Sequence, residues 1–515
     1  KELLTHLSVL KDSELLYERG LYPETAYIFK HALTRDVVYE SILTRKKKNL
    51  HKKIGDAVEE LYTDRIEEHY ELLAYHYALS EHWEKSVHFG RLAAEKARKL
   101  TQFQQALALY EQTAEWLLKL PENKIRQERL VEIRLEICQC NIELGQFEKA
   151  VEVGLQTENT AKELGDRTRL GMTYLGLSIG SLYRGNFKET EHYALQANQY
   201  LEGTSEELAL ALAESLLGVC YIGQGLWRKS EPHISKAVRV YERLDKKTEY
   251  VGEWHVYTGG CAQLGYNLGV IGRITEAKEL FEKGYMPELE QVSNLTTKMI
   301  YCSWHGLFIS LIGEEHFGAA ARIDQLVELV KQSDSPFMIL VFSVAKANVL
   351  IGMEDFEAAL STCQKVLKAI EGKAIRTGHV VNLYYDLVLA ELESGEQELA
   401  KQHYEEGRKL VELAPHWWEP RFDFLQGLLL VAGGSSDYKF AEECFQKSLK
   451  GDEEVGAVVP AAQTSYYLAR MLGRKVEVGR ARKILTELHS HFQSMGIPVW
   501  QQKCELELET LASLE

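Results

Sequence analysis

One short pattern recurs along the chain and constrains its fold more than any other feature. A glycine or other turn residue is followed two positions on by an aromatic or large apolar residue, and three further on by alanine, serine or threonine. LGQFEKAVEV holds Gly145, Phe147 and Ala150; RGNFKETEHYA holds Gly185, Phe187 and Thr190; QGLWRKSEPHI holds Gly225, Trp227 and Ser230; IGRITEAKELF holds Gly272, Ile274 and Ala277. Phe317 with Ala320, Phe356 with Ala359, Gln397 with Ala400, Tyr438 with Ala441 and Val478 with Ala481 continue the series, and Trp83 with Ser86 and Phe103 with Ala106 precede it. From Phe103 to Val478 successive markers stand 39 to 47 residues apart. Self-similarity at such a period belongs to stacked supersecondary units, none of which can bury its apolar face alone.

The physics is that of a helix hairpin. The turn glycine ends one helix, the aromatic fills the gap where two helices meet, and the small residue lets the second helix approach closely. Four residues beyond the small position a large side chain shares its face at Phe281, Tyr404, Phe445 and Leu485. Pro287, Pro336, Pro415, Pro460 and Pro498 follow the second helices, where proline blocks continuation. The pattern resembles the tetratricopeptide repeat, lengthened from about 34 residues to about 40, which is roughly one extra helical turn per pair. Leu217–Gly218 and Leu264–Gly265 match that repeat's leucine-glycine pair, and Trp304 falls on its tryptophan position. A HEAT-type solenoid shares the period but lacks this turn. The resemblance spans residues 66–494 and implies an all-α, right-handed superhelix (an α-solenoid) of about ten long hairpins.

Composition narrows the function. A net charge of -16 argues against direct nucleic-acid binding, which needs a positive footprint. No apolar run is long enough to span a membrane. The eight cysteines are scattered, without the spacing of a disulfide framework, and read as buried, reduced thiols of a cytoplasmic protein. Cys138 and Cys140 point apart on a helix, so they cannot converge on a metal. His69 and His76 share a helix face without a third ligand, His489 and His491 diverge, and no nucleophile or paired-carboxylate motif stands out. No cofactor, metal or catalytic residue is expected, and the chain reads as a non-enzyme.

The acidic balance is broken near the start. YIFKHALTRDVVYESILTRKKKNLHKKI carries an excess of six positive charges between Lys30 and Lys53. This stretch resembles the junction segment of large bacterial signal-transduction ATPases, including cyclase-linked ATPases and regulators related to the maltose-regulon activator. The matching residues are Tyr27, Phe29, His31, Ala32 and Leu33, then Val38, Tyr39 and Ile42, then Arg45, Leu50 and His51. The tail FQSMGIPVWQQKCELELETL is similar to the closing helix of such regulators. The resemblance implies a winged-helix remnant over 1–43, junction helices and first repeats over 44–120, the superhelix over 121–494 and a capping helix over 495–515. It also implies that nucleotide chemistry lies before Lys1, since EGKAIRTG, with Gly372, Lys373 and Ala374, lacks the glycine and hydroxyl of a phosphate loop. Lys1 in place of methionine is expected of a piece of a longer polypeptide. Arg45–Lys48 reads either as a docking edge or as a solvated helix face.

The surface left to work is the concave groove lined by the first helix of each hairpin. Counting back from each turn places Tyr266, His305, Asn348, Tyr385, Gln426, Tyr466 and Arg470 inward. A ladder of aromatic and hydrogen-bonding groups suits a protein or peptide partner, or a small effector within one turn. Packing against the next helix, with polar tips wet, is the plainer role for each residue taken singly. Trp417 and Trp418 of HWWEP are expected in an inter-repeat loop. The expected function is that of a sensor and interaction arm of a signalling ATPase; a passive scaffold and a fragment of a transcription activator are the alternatives.

Overall fold

The computed structural model describes residues 2–19, 26–244, 255–285, 295–331, 335–372, 375, 377–413, 415–433, 438–474 and 477–513. Pro287, Lys373 and Ala374 therefore lie outside the described residues. The chain divides into two compact units, residues 1–93 with 112–121, and residues 94–111 with 122–515.

The first unit opens with α1 (Glu2–Asp12), the antiparallel strands β1 (Leu16–Arg19) and β2 (Ala26–Phe29), and α2 (Ala32–Ser41). Leu16 stands opposite Phe29 in the hairpin. The basic run lies on α3 (Thr44–Leu61), which buries only His51, Gly55 and Val58, one narrow stripe at helical spacing. Three of its cations pair with carboxylates: Lys47 with Glu40 at 3.0 Å, Lys48 with Glu81 at 2.5 Å and Lys52 with Asp56 at 2.5 Å. That is the arrangement of a solvated helix face. After a short 3-10 segment come α4 (Tyr70–Leu79) and α5 (Trp83–Lys99). Val58, Leu73, Tyr77 and Phe89 form a small core. His76 pairs across this unit with His51 at 2.8 Å rather than with His69, which packs on Tyr62.

Residues of α5 and α6 (Phe103–Leu117) belong to both units. In the second unit the helices alternate as first and second members of hairpins: α7 (Lys124–Glu143) and α8 (Phe147–Leu164), α9 (Arg167–Tyr183) and α10 (Phe187–Leu201), α11 (Glu207–Gly223) and α12 (Trp227–Leu244), α13 (Val256–Val270) and α14 (Ile274–Gly284), and α15 (Leu295–Ile312) and α16 (Ala319–Val330). They continue as α17 (Pro336–Gly352) and α18 (Phe356–Ile370), α19 (Gly378–Glu393) and α20 (Gln397–Arg408), α21 (Pro415–Ala432) and α22 (Tyr438–Val455), and α23 (Val458–Arg474) and α24 (Val478–Met495), before the final α25 (Pro498–Ala512). The result is an all-α solenoid. Among the described residues no helix is long and apolar enough to cross a membrane.

The marker residue opens the second helix of nearly every hairpin: Phe147, Phe187, Trp227, Ile274, Phe356, Gln397, Tyr438 and Val478 are all first helical residues. The small residue three positions on is sealed, as at Ala150, Ser230, Ala277 and Ala359, each 0 % exposed. Phe317 is the exception. It is 41 % exposed with a positive φ, and Gly318 beyond it is also left-handed, so α16 starts two residues late and buries Ala319 in place of Ala320. His316 fills the gap instead, hydrogen-bonded to His305 at 3.0 Å. Close approach shows at Gly218, where a Cβ would lie 2.2 Å from Cγ1 of Ile234. Pro336, Pro415 and Pro498 prove to be the first residues of α17, α21 and α25, where the missing N–H costs nothing.

Stacked repeats ordinarily touch only their neighbours, but here the winding closes on itself. The turn after α7 meets the start of α17: Ser335, the N-cap, donates to the carbonyl of Glu143, and Phe337 lies 5.1 Å from the rings of both Phe147 and Tyr183. At the turn after α11, Trp227 lies 4.8 Å from Trp417 on α21. The turn after α13 meets Val458 of α23, and the turn after α15 meets Val499 of α25. The offset is the same each time, five hairpins on. Gly145 shows the constraint doubled: its φ is +74°, and a Cβ there would sit 3.1 Å from that of Phe337. Tight winding leaves little open groove, and α13 is buried at every residue from Val256 to Val270.

Candidate ligand cavity

The closure frames a partly open cavity of about 200 Å³ between the two sides of the seam. One side comes from α9, α11, α13 and α15, with Leu216, Val219, Tyr266, Met299 and Trp304; the other comes from α19 and α21, with His379, Trp417 and Trp418. Tyr266 links the walls, 5.4 Å from the ring of Trp304 and 6.5 Å from that of Trp417. No Asp, Glu, Lys or Arg is among the described lining residues. His379 keeps some accessible surface because it lines the cavity, yet burial lowers its pKa to about 4, so it is neutral at pH 7. Ser215, Gln263 and Thr377 also line the cavity, and Ser215 Oγ, Gln263 Oε1 and Thr377 Oγ1 are buried with no hydrogen-bond partner among the described residues. Unpaired polar atoms in so apolar a wall are uncommon and costly.

A buried polar network backs the second wall. Asn382 donates to Asp386 at 2.8 Å and stands 3.4 Å from Asn348. Burial pushes the Asp386 carboxyl well above its usual range. On α21 Arg421 pairs with Asp452, both buried, and the guanidinium lies 5.4 Å over the Trp417 ring. Burial raises Asp452 to about 6, with Arg421 opposing the shift.

The groove residues expected from the repeat register separate here. Tyr266 lines the cavity, and Tyr385 is half-buried behind it, 5.8 Å from Trp418. His305 is 1 % exposed, stacked on Phe281 at 4.5 Å; Asn348 is buried and donates to the Val344 carbonyl at 2.9 Å. Tyr466 is buried against Trp500 at 5.5 Å, and Gln426 is half-buried on α21. Arg470 bonds Glu507 at 2.8 Å and lines a second cavity of about 210 Å³ with Tyr467 and Glu393. These residues do not form one open ladder, because the next winding covers the inner face. Trp417 and Trp418 stand in α21 rather than in a loop, and they proved central to the cavity. Their signal was the bulk of two adjacent indoles beside a helix-starting proline.

No family model matches the chain, and no curated protein does. Solved helical structures are similar to it at low identity. A Rap protein complexed with competence and sporulation factor shares 13% identity with a TM-score of 0.39, over 83% of this chain and 98% of that one. The Cut9–Hcn1 hetero-tetramer of the APC/C shares 13% with a TM-score of 0.37, over 88% and 96%. A monomeric IFIT1 mutant with Gppp-AAAA shares 12% with a TM-score of 0.41, over 84% and 91%. At these scores the likeness carries no argument about function.

The remaining candidate chemistry is structural. All eight cysteines are buried and free, and Cys138 donates to the Ala150 carbonyl at 3.0 Å across its hairpin. Burial raises the thiols of Cys138 and Cys302 to about 12. His489 pairs with Glu505 at 2.7 Å. Among the described residues no group of three or more metal-ligating side chains converges.

Proposed function

We propose that this chain is a non-enzymatic sensor and interaction arm of a cytoplasmic, bacterial signalling ATPase, binding a partner protein, a peptide or a small effector and passing that event to the attached output domain. The observation that most supports this reading is the cavity's position at the seam of the winding. An occupant touches α11, α13 and α15 on one side and α19 and α21 on the other. A ligand with different affinity for the closed and loosened winding shifts the balance between them. The α1–β1–β2–α2 arrangement ahead of α3 suits the closing part of a winged-helix domain, the element its sequence resembles. Buried, free thiols suit a reducing compartment.

The test is a thermal-shift screen of the chain against peptides, sugars and nucleotides, followed by hydrogen exchange on any ligand that stabilises it. A sensor's ligand slows exchange at the seam, around Ser335–Met338 and the turn at Gly145. A ligand that binds while leaving the seam unchanged makes the chain a passive scaffold.

A further inference from the structure

We infer that the seam cavity is a site for an uncharged, flat organic ligand with the size and polarity of a bicyclic heteroaromatic. The inference rests on the binding role proposed above and names the chemistry of its occupant.

Size comes first. A cavity of about 150 Å³ lined by aliphatic and aromatic side chains accepts benzene, and this one is about 200 Å³. One fused ring system fills that volume.

Charge comes second. The described lining offers no ionised group, and its one histidine is held neutral by burial. A phosphate, carboxylate or ammonium would lose its hydration with no countercharge to repay it. Hydroxyl-rich sugars meet a related obstacle. Most of the wall is Leu, Val, Ile, Met and aromatic surface, so most of their hydroxyls would be left unpaired.

Shape comes third. Tyr266, Trp304, Trp417 and Trp418 form one continuous run of aromatic rings, in which Tyr266 meets both Trp304 and Trp417, and Trp417 meets Trp418. Ring faces favour offset or edge-on contact with a planar guest. Ser215, Gln263 and Thr377, each with a buried unpaired side-chain oxygen, are lining residues, and a few polar groups in an apolar wall are what orient a guest in a site of this kind.

Indole serves as the probe, titrated calorimetrically into the full 515-residue chain, with indole-3-carboxylate and glucose as comparisons. Val219→Trp places bulk in the cavity, and Ser303→Leu replaces a polar lining side chain with a larger apolar one. Indole is expected to bind at a single saturable site with a negative heat-capacity change. Each variant that keeps its helical circular dichroism should weaken binding by at least about tenfold, since bulk in the cavity removes the guest's contacts. Indole-3-carboxylate and glucose should bind at least about tenfold more weakly than indole, for want of polar partners. Should Val219→Trp fail to fold, Ser303→Leu carries the test alone. Absence of saturable indole binding, equal binding of the carboxylate, or indifference to both variants overturns the inference. A peptide that binds and slows exchange at the seam while indole does not would overturn this inference and leave the sensor role standing.

Discussion

Phe337→Ala tests the closure on which the cavity depends. Phe337 is 0 % exposed, and its ring meets Phe147 and Tyr183 edge-on at 5.1 Å from each. Truncating a buried phenylalanine costs about 3–5 kcal/mol. Of this, two aromatic pairs at about 0.5–1.5 kcal/mol each account for roughly 1–3 kcal/mol that acts across the seam rather than within the hairpin. Phe445→Ala is the matched control: it too is 0 % exposed, but its partners are Phe424 and Gly427 on the preceding helix. A long array need not unfold in one step, so hydrogen exchange resolved by segment is the assay. Phe337→Ala should accelerate exchange both in α17 and around the turn at Gly145, although Ser335 and Glu143 stand 192 residues apart. Phe445→Ala should accelerate it only in α21 to α23. If the Phe337→Ala effect stays within α16 to α19, the seam carries no energy and the reasoning fails.

Four further outcomes follow from the same contacts. Gly218→Ala forces a methyl to 2.2 Å from Ile234 Cγ1 and should lower stability by about 1–3 kcal/mol in denaturant titration, whereas Gly165→Ala, with open space but a left-handed φ, reports backbone strain alone. Arg421→Leu leaves Asp452 buried without its partner and should cost about 3–5 kcal/mol; because burial already raises Asp452 to about 6, that cost should grow as pH rises above 6 and shrink in the double variant Arg421→Leu/Asp452→Asn. His379 has a folded pKa of about 4 against 6.5 unfolded, so its neutral form contributes fully above pH 6.5 and the contribution is lost as pH falls from 6.5 to 4; the full swing is about 3 kcal/mol, and His379→Leu should remove that part of the acid dependence of thermal stability. Tyr466→Ala should destabilise α23 against α25 by about 3 kcal/mol without altering indole binding, since Tyr466 packs on Trp500 away from the cavity.

The hairpins were legible in the sequence because their cause is local. A turn glycine, an aromatic that starts the second helix and a small residue one turn on are read within a dozen positions, and Phe147, Trp227 and Ala277 stand where that pattern puts them. The structure departs from the pattern at Phe317, where Gly318 adopts a left-handed conformation and delays α16 by two residues. Periodicity records that a helix starts there, not the backbone angle of a single residue.

The site was legible only in part. The register turns Tyr266, His305, Asn348 and Tyr466 inward, and all four are buried within the second unit. Whether inward means a wet groove or a dry core depends on the rotation between successive hairpins, a quantity summed over many helix-crossing angles. Each angle is set by packing between whole surfaces, and no short motif encodes it. That sum brings α17 back to α7 and α21 back to α11. It covers His305 and Asn348, and sets Trp417 and Trp418 against Tyr266. Local pattern thus determined the units and their order, while the accumulated twist of the stack decided where they meet and shaped an uncharged, aromatic-walled cavity between the two sides of the seam.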